Sequence, residues 1–265
     1  MKILAVQSRM GIGDTVIFLP FMKALFKKFN SPISILVKEN SKANQYLHQT
    51  KYIDKILTLE RDNKTNNRHG GFFGIFKLAN DLKKYKFDKI FIFNSSLRFN
   101  LVAKISGIPQ IYQYPLFAKN KQHIIEAPKK FLKENLNLDI NEDPEVQIDN
   151  DSISKAAQKF QINKNTTNIL LGIGGSGPTK RIPAKTFLSV IDKISNMKNC
   201  RFFLATGKAN EEQEVLNEIL QSKFKNFCTR LDNLTLKEIL PLIKNCNVSI
   251  RSEEHTSELQ SPVTI

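Results

Sequence analysis

Lys2-Ile3-Leu4-Ala5-Val6-Gln7-Ser8-Arg9-Met10-Gly11-Ile12-Gly13-Asp14-Thr15-Val16 opens the chain with an apolar run, a glycine-bearing turn and the start of a helical repeat. A short apolar run that ends in such a turn reads as a buried strand delivering the chain into a helix. The same alternation continues outward from it. Strands are predicted at Lys2–Gln7, Ile33–Val37, Ile53–Leu57, Lys89–Phe93 and Ile111–Tyr114. Amphipathic helices are predicted at Val16–Phe29, Lys42–Gln49, Phe73–Tyr85, Leu97–Ser106 and Ile124–Leu136. Buried strands alternating with helices argue for βαβ units and a parallel sheet.

A polar stretch, about 137–151, then reads as a linker. A second series follows, with strands at Asn168–Ile173, Arg201–Thr206, Phe227–Thr229 and Val248–Ile250. Its helices are expected at Ile153–Phe160, Ala184–Ile194, Glu211–Gln221 and Leu236–Lys244. The expected fold is α/β, with two Rossmann-like parallel-sheet domains at 1–150 and 152–250. The second is incomplete, because it stops on a strand with no following helix.

Residues 251–265 are set aside from the fold. Arg251 to Ser261 match, letter for letter, the in-frame translation of a common sequencing adapter, and Pro262, Val263 and Thr264 fall at its variable index. The native chain is therefore expected to end near Ile250. The full 265 residues carry a formal charge of +15; the tail holds one Arg and three Glu, which leaves 39 basic and 22 acidic residues and +17. The basic residues are spread along the chain, and Lys, Asn, Ile and Phe are abundant while Trp is absent. Biased codons explain this better than nucleic-acid binding, with some attraction to anionic headgroups. No apolar run is long enough to span a bilayer and no signal peptide is recognisable, so a cytoplasmic location is expected. Cys200, Cys228 and Cys246 are far apart, as are His48, His69 and His123, and imply neither a disulfide framework nor a metal site.

Three glycine-bearing turns carry the chemistry. In the first, Gly11 and Gly13 allow close backbone approach, and Asp14 stands at the helix start, where spacing alone favours an N-cap. The second, Gly172 to Pro183, offers Gly174, Gly175 and Ser176 for an anion, with Lys180 and Arg181 adding charge. It lacks the acidic strand-end residue of a dinucleotide site, and Pro178 stands where a Walker A loop needs Lys. The third, Thr206 to Glu212, places Glu211 and Glu212 to bond ribose hydroxyls or simply to occupy a first helical turn. Asp149-Asn150-Asp151 looks like a D-x-D metal motif but reads as turn chemistry.

Together these turns resemble glycosyltransferase family 9, the ADP-heptose:lipopolysaccharide heptosyltransferases. Residues 10–20, Met-Gly-Ile-Gly-Asp-Thr-Val-Ile-Phe-Leu-Pro, look like that family's G-x-x-G-D-h-h-h-x-x-P signature. Lys180-Arg181-Ile182-Pro183 is similar to its K-x-W-P element, with Ile182 in place of Trp, and the segments 206–212 and 234–238 fall in the family's order. The resemblance implies a GT-B fold and inverting, metal-independent transfer of a sugar from a nucleotide donor such as ADP-heptose, with no cofactor. The acceptor would be a lipid-linked glycan, the lipopolysaccharide core or a relative, at the inner membrane surface. Asp14 would be the general base, with Arg9, Gly11 and Gly13 in an acceptor-side loop. Lys180 would bind donor phosphate. The family's D-S-G-x-x-H motif, expected just after Ile250, is replaced by the tail, so the 265-residue chain is expected to be inactive. Two alternatives compete: an NAD(P)-dependent Rossmann oxidoreductase, and a basic module binding nucleic acid or a membrane surface.

Overall fold

The computed structural model describes residues 1–9, 11–61, 67–116, 123–174 and 182–251. The chain divides into two compact units, 1–147 and 148–265. In the first, strands β1 (Ile3–Val6), β2 (Ile33–Lys38), β3 (Ile53–Leu59), β4 (Lys89–Ile92) and β5 (Gln110–Gln113) form one parallel sheet in the order β3-β2-β1-β4-β5. Helices α1 (Ile12–Ile17), α2 (Leu19–Phe29), α3 (Phe73–Lys83), α4 (Leu97–Ile105) and α5 (Glu126–Leu136) connect and cover it. β1 is buried at every position, because a central parallel strand has helices on both faces. Leu4, Val6, Ile90 and Ile92 pack with Ile75, Leu78 and Leu82 of α3 and Phe99 and Val102 of α4. On the other face Phe91 and Phe93 meet Phe21 of α2 and Phe131 of α5 through their rings.

The second unit repeats the scheme. Helix α6 (Asn150–Lys159) leads into β6 (Thr167–Gly172), α7 (Ala184–Met197), β7 (Cys200–Ala205), α8 (Asn210–Gln221), β8 (Cys228–Arg230), α9 (Leu236–Ile243) and β9 (Val248–Arg251). All four strands are parallel, in the order β8-β7-β6-β9. The period of two sorts the core: Ile169, Leu171, Phe202 and Leu204 face α7 and α8, whereas Leu170 and Phe203 face Ala156 of α6 and Leu242 of α9.

Two expectations need correction. The single helix expected from Val16 starts at Ile12 and breaks at Phe18. Pro20 lacks the N–H that would continue the ladder, so it opens a new helix instead. The helix expected at 42–49 is replaced by two 3-10 turns, Glu39–Ser41 and Ala43–Gln45, separated by Lys42 at φ +50°. The polar stretch after α5 has no regular structure, yet it is fastened to the first unit. Glu142 pairs with Lys23 at 2.9 Å and with Lys27, Gln147 Oε1 accepts the Lys51 N–H, and Ile140 is buried.

α9 begins with a reciprocal cap. The Thr235 side chain receives the Glu238 backbone N–H, and Glu238 accepts the Thr235 N–H at 3.0 Å. Glu238 also accepts from Lys159 of α6 at 3.0 Å. These bonds, that from the Thr235 N–H foremost, pull the Glu238 carboxyl from 4.5 down to about 2. A depressed carboxyl stabilises the fold above its unfolded value and loses that contribution as pH falls through its folded one. The side chains are half-exposed, so Glu238→Gln should cost the second unit only about 0.5–1 kcal/mol at neutral pH. Urea denaturation should show that difference shrinking as pH falls from 4.5 towards 2.

Candidate functional site

In an open parallel sheet, ligands bind beyond the carboxyl ends of the strands, where the strand order reverses. In the first unit that point lies between β1 and β4. Gln7 continues β1 as a buried residue, with its N–H on Leu36 O and its Oε1 accepting the Arg9 N–H at 2.5 Å. Asn94, just past β4, donates through Nδ2 to Ser8 Oγ at 3.1 Å and ties the two strand ends together. Gln113 at the end of β5 donates to the carbonyls of Asn94 (3.1 Å) and Ser96 (2.9 Å).

These residues border a cavity of about 520 Å³ lined by Ser8, Arg9, Asn94, Ser95, Tyr114, Lys130 and Glu134, among others. Its apolar wall consists of Phe93, Tyr114 and Phe131, packed edge-to-face at 5.1–6.1 Å. The Tyr114 hydroxyl is buried with no partner among the described residues, and burial pushes its pKa up. Asn94, Gln113, Tyr114 and Lys130 escaped the sequence reading. The signal available was the polar Asn94-Ser95-Ser96 directly after an apolar strand.

Asp14 is not the N-cap that spacing favoured. Gly11, at φ +105°, caps α1 without any side-chain bond, and Asp14 is the third helical residue. A Cβ at Gly11 would lie 3.7 Å from Asp14 Oδ2, and the positive φ would strain any L residue there. The half-buried Asp14 carboxyl has its pKa raised by burial, with the Arg9 guanidinium opposing the shift. Gly13 is exposed, and a Cβ there would meet nothing within 4 Å.

In the second unit the order reverses between β6 and β9. Glu212 is the third residue of α8, as Asp14 is of α1, and its carboxylate folds back over two glycines. A Cβ would lie 2.5 Å from Glu212 Oε2 at Gly207 and 3.0 Å from Oε1 at Gly174. Thr206 Oγ1 donates to Glu212 Oε2 at 3.4 Å, and Gln213 Nε2 donates to Gly207 O at 2.7 Å. The structure thus brings Gly174 and Glu212 together, while Glu211 is exposed beside them. Gly175, Ser176, Lys180 and Arg181 lie outside the described residues. Asp149 is an N-cap: its carboxylate accepts the Ser152 N–H at 2.6 Å, and Asp151 pairs with Lys155. Among the described residues no cluster of three His, Cys, Asp or Glu could hold a metal, and no helix is long and apolar enough to cross a membrane.

Two parallel sheets, of five and four strands, make an α/β fold, and its likeness to solved structures is of the GT-B-like glycosyltransferase class. Residues 75–251, more than half of the chain, match glycosyltransferase family 9 (heptosyltransferase), and the chain belongs to that family. Its fold is similar to E. coli ADP-heptose lps heptosyltransferase II (17% identity, TM-score 0.69, covering 94% of this chain and 78% of that one). It is also similar to the family 9 glycosyl transferase from Veillonella parvula (19%, 0.74, 94% and 75%) and to E. coli heptosyltransferase WaaC with ADP-2-deoxy-2-fluoro heptose (12%, 0.64, 95% and 83%). Comparison with curated protein sequences gives no match.

Replacing Tyr114 by Phe removes a buried hydroxyl that has no partner among the described residues and keeps the ring. The variant should gain about 1 kcal/mol in urea denaturation, whereas a hydroxyl with a protein partner would make it less stable.

Proposed function

We propose that this glycosyltransferase moves a sugar, a heptose, from a nucleoside-diphosphate donor to a hydroxyl of a lipid-linked surface glycan, with inversion and without a metal. Asp14 carries the reading. Its carboxylate has no capping duty, is partly desolvated, and feels the charge of Arg9, which lines the cleft. Such a group can take the acceptor hydroxyl's proton as that oxygen bonds to the anomeric carbon. The bond from that carbon to the diphosphate oxygen breaks, and the nucleoside diphosphate leaves with the electron pair. Arg9, Asn94 and the unpartnered Tyr114 hydroxyl offer donors to the acceptor.

On the donor side, Glu212 accepts hydrogen bonds from ribose hydroxyls, with Glu211 beside it, and the missing side chains of Gly174 and Gly207 leave room for its carboxylate. Gly175, Ser176, Lys180 and Arg181 take the diphosphate, by the family resemblance, and offset the charge that develops on it. The structurally similar E. coli heptosyltransferase WaaC has a structure with ADP, which favours an adenine nucleotide here. The acceptor is part of the lipopolysaccharide core or a related glycan, reached from the cytoplasmic face of the inner membrane.

Transfer from ADP-heptose to a truncated lipopolysaccharide acceptor, measured in the enzyme continued past Ile250 with the family's D-S-G-x-x-H motif, tests the base. Asp14→Asn should lower kcat about 10²–10⁴-fold with ADP affinity unchanged; full activity would remove Asp14 from the chemistry. The base must be ionised, and burial raises its pKa, so kcat/KM should climb through an acid limb above the ordinary 3.8. Arg9→Ala removes the opposing charge and should shift that limb further up.

Gly207→Ala places a methyl against the end of a flexible carboxylate. It should leave the urea midpoint nearly unchanged while weakening ADP binding about tenfold in calorimetry, the loss expected from displacing one charge-assisted bond. Unchanged affinity would take Glu212 out of the nucleotide site.

A further inference from the structure

Phe72, Phe73 and Phe76 are 68%, 77% and 48% exposed at the start of α3. Phe72 meets the other two rings edge-to-face, at 6.0 and 5.7 Å between centroids. α3 already buries Ile75, Leu78, Ala79 and Leu82 against the sheet, so these rings form a second apolar face. α4 repeats the pattern: Phe99, Val102 and Ala103 point inward, and Leu97, Leu101 and Ile105, spaced i, i+4, i+8, are 36–44% exposed. Arg98 donates to the carbonyls of Gly71 (2.7 Å) and His69, which sets the first turn of α4 beside the segment that enters α3. An amphipathic helix in a soluble unit has one apolar stripe; both of these have two.

The charges on this outer surface have one sign. Lys77, Lys83, Lys84 and Lys104 are exposed. The only acidic residue in α3 and α4 is Asp81, which is turned away, accepting from Arg68 at 2.8 Å and facing His69 Nε2 at 3.1 Å. His69 Nδ1 accepts the Glu60 N–H, so its proton is on Nε2 and points at Asp81.

We propose that the outer face of α3 and α4 docks on an anionic lipid bilayer. Phe72, Phe73, Phe76, Leu97, Leu101 and Ile105 enter the boundary between headgroups and acyl chains, and the surrounding lysines meet lipid phosphates. A second copy of the chain is a poorer occupant, because a two-fold contact would press this lysine-rich face against itself. Single-stranded nucleic acid would stack on the rings but would gain nothing from the aliphatic row on α4. The proposal rests on these exposed side chains and not on the transferase reading.

The test is co-sedimentation of the 265-residue chain with vesicles of phosphatidylcholine alone and of phosphatidylcholine mixed with phosphatidylglycerol. The chain should pellet with the mixed vesicles, less so as salt rises. F72S/F73S/F76S should lower the partition coefficient at least about tenfold, given the apolar area it withdraws. Leu101→Ser should lower it in the same direction and guards against a folding defect in the triple variant. Lys185→Gln/Lys193→Gln, exposed on α7, should bind as the unaltered chain does. The proposal is overturned if the chain stays in the supernatant, if the triple variant pellets like the parent, or if the α7 pair loses as much as the triple. It is equally overturned if the triple variant abolishes self-association or oligonucleotide binding in a chain that ignores vesicles. ADP affinity is measured on the same variants, so this reading and the transferase reading fail separately.

Discussion

The placement of β1 between β2 and β4 governs the first unit. A parallel neighbour cannot be reached by a tight turn, so every connection crosses over the sheet as a helix, and all the strands finish at one edge. Because the chain leaves β1 towards β2 and later returns to β4 on its other side, the crossing helices separate at that edge. The crevice between them is where Ser8 and Asn94 join across the strand ends and where the cavity opens. β6, between β7 and β9, does the same for the second unit. Burial on both faces follows from the same arrangement, and so does the hydrophobic content of the strands.

The two turns use one device in two electrostatic settings. Asp14 and Glu212 are each the third residue of a helix entered without a side-chain cap, and each lies over glycine. A helix start ordinarily favours a carboxylate. α1 is only six residues long, so its field is weak, and desolvation wins: the Asp14 carboxyl is raised. The Glu212 carboxylate accepts the Thr206 hydroxyl and occupies space that a side chain on Gly174 or Gly207 would crowd. The helical position is the same in both, so the difference between the two lies in burial and neighbours.

Family membership and fold fit together at low identity because the constraints just described are generic. A parallel sheet asks for apolar residues at alternating and buried positions and for small residues where the chain turns, and many sequences supply these. The Veillonella parvula structure agrees at a TM-score of 0.74 with 19% identity. Identity at that level carries the architecture, while the side chains that line the clefts, such as Tyr114 and Lys130, are not dictated by the sheet.

The strands were legible because a buried strand writes its period, and its β-branched and aromatic content, into a few consecutive residues. The glycine turns were legible because Gly11 adopts a positive φ that other residues resist and Gly174 stands where a side chain would crowd the Glu212 carboxylate. Local pattern also placed Asp14 and Glu212 at helix starts. It did not separate a cap from an uncommitted carboxylate, since that depends on whether the helix begins at Ile12 or at Val16, and the break at Phe18 is a matter of hydrogen-bond bookkeeping around Pro20. Nor did it find Asn94, Gln113, Tyr114 and Lys130, which lie up to 122 positions from Ser8 and meet it only because β4, β5 and α5 are stacked beside β1. The outward rows on α3 and α4 were not singled out, because an apolar residue carries no mark in the sequence of the side it will face. Sequence determined the elements, because their forces act between near neighbours in the chain; tertiary structure decided the clefts and the exposed face, because those depend on which distant elements the sheet brings together.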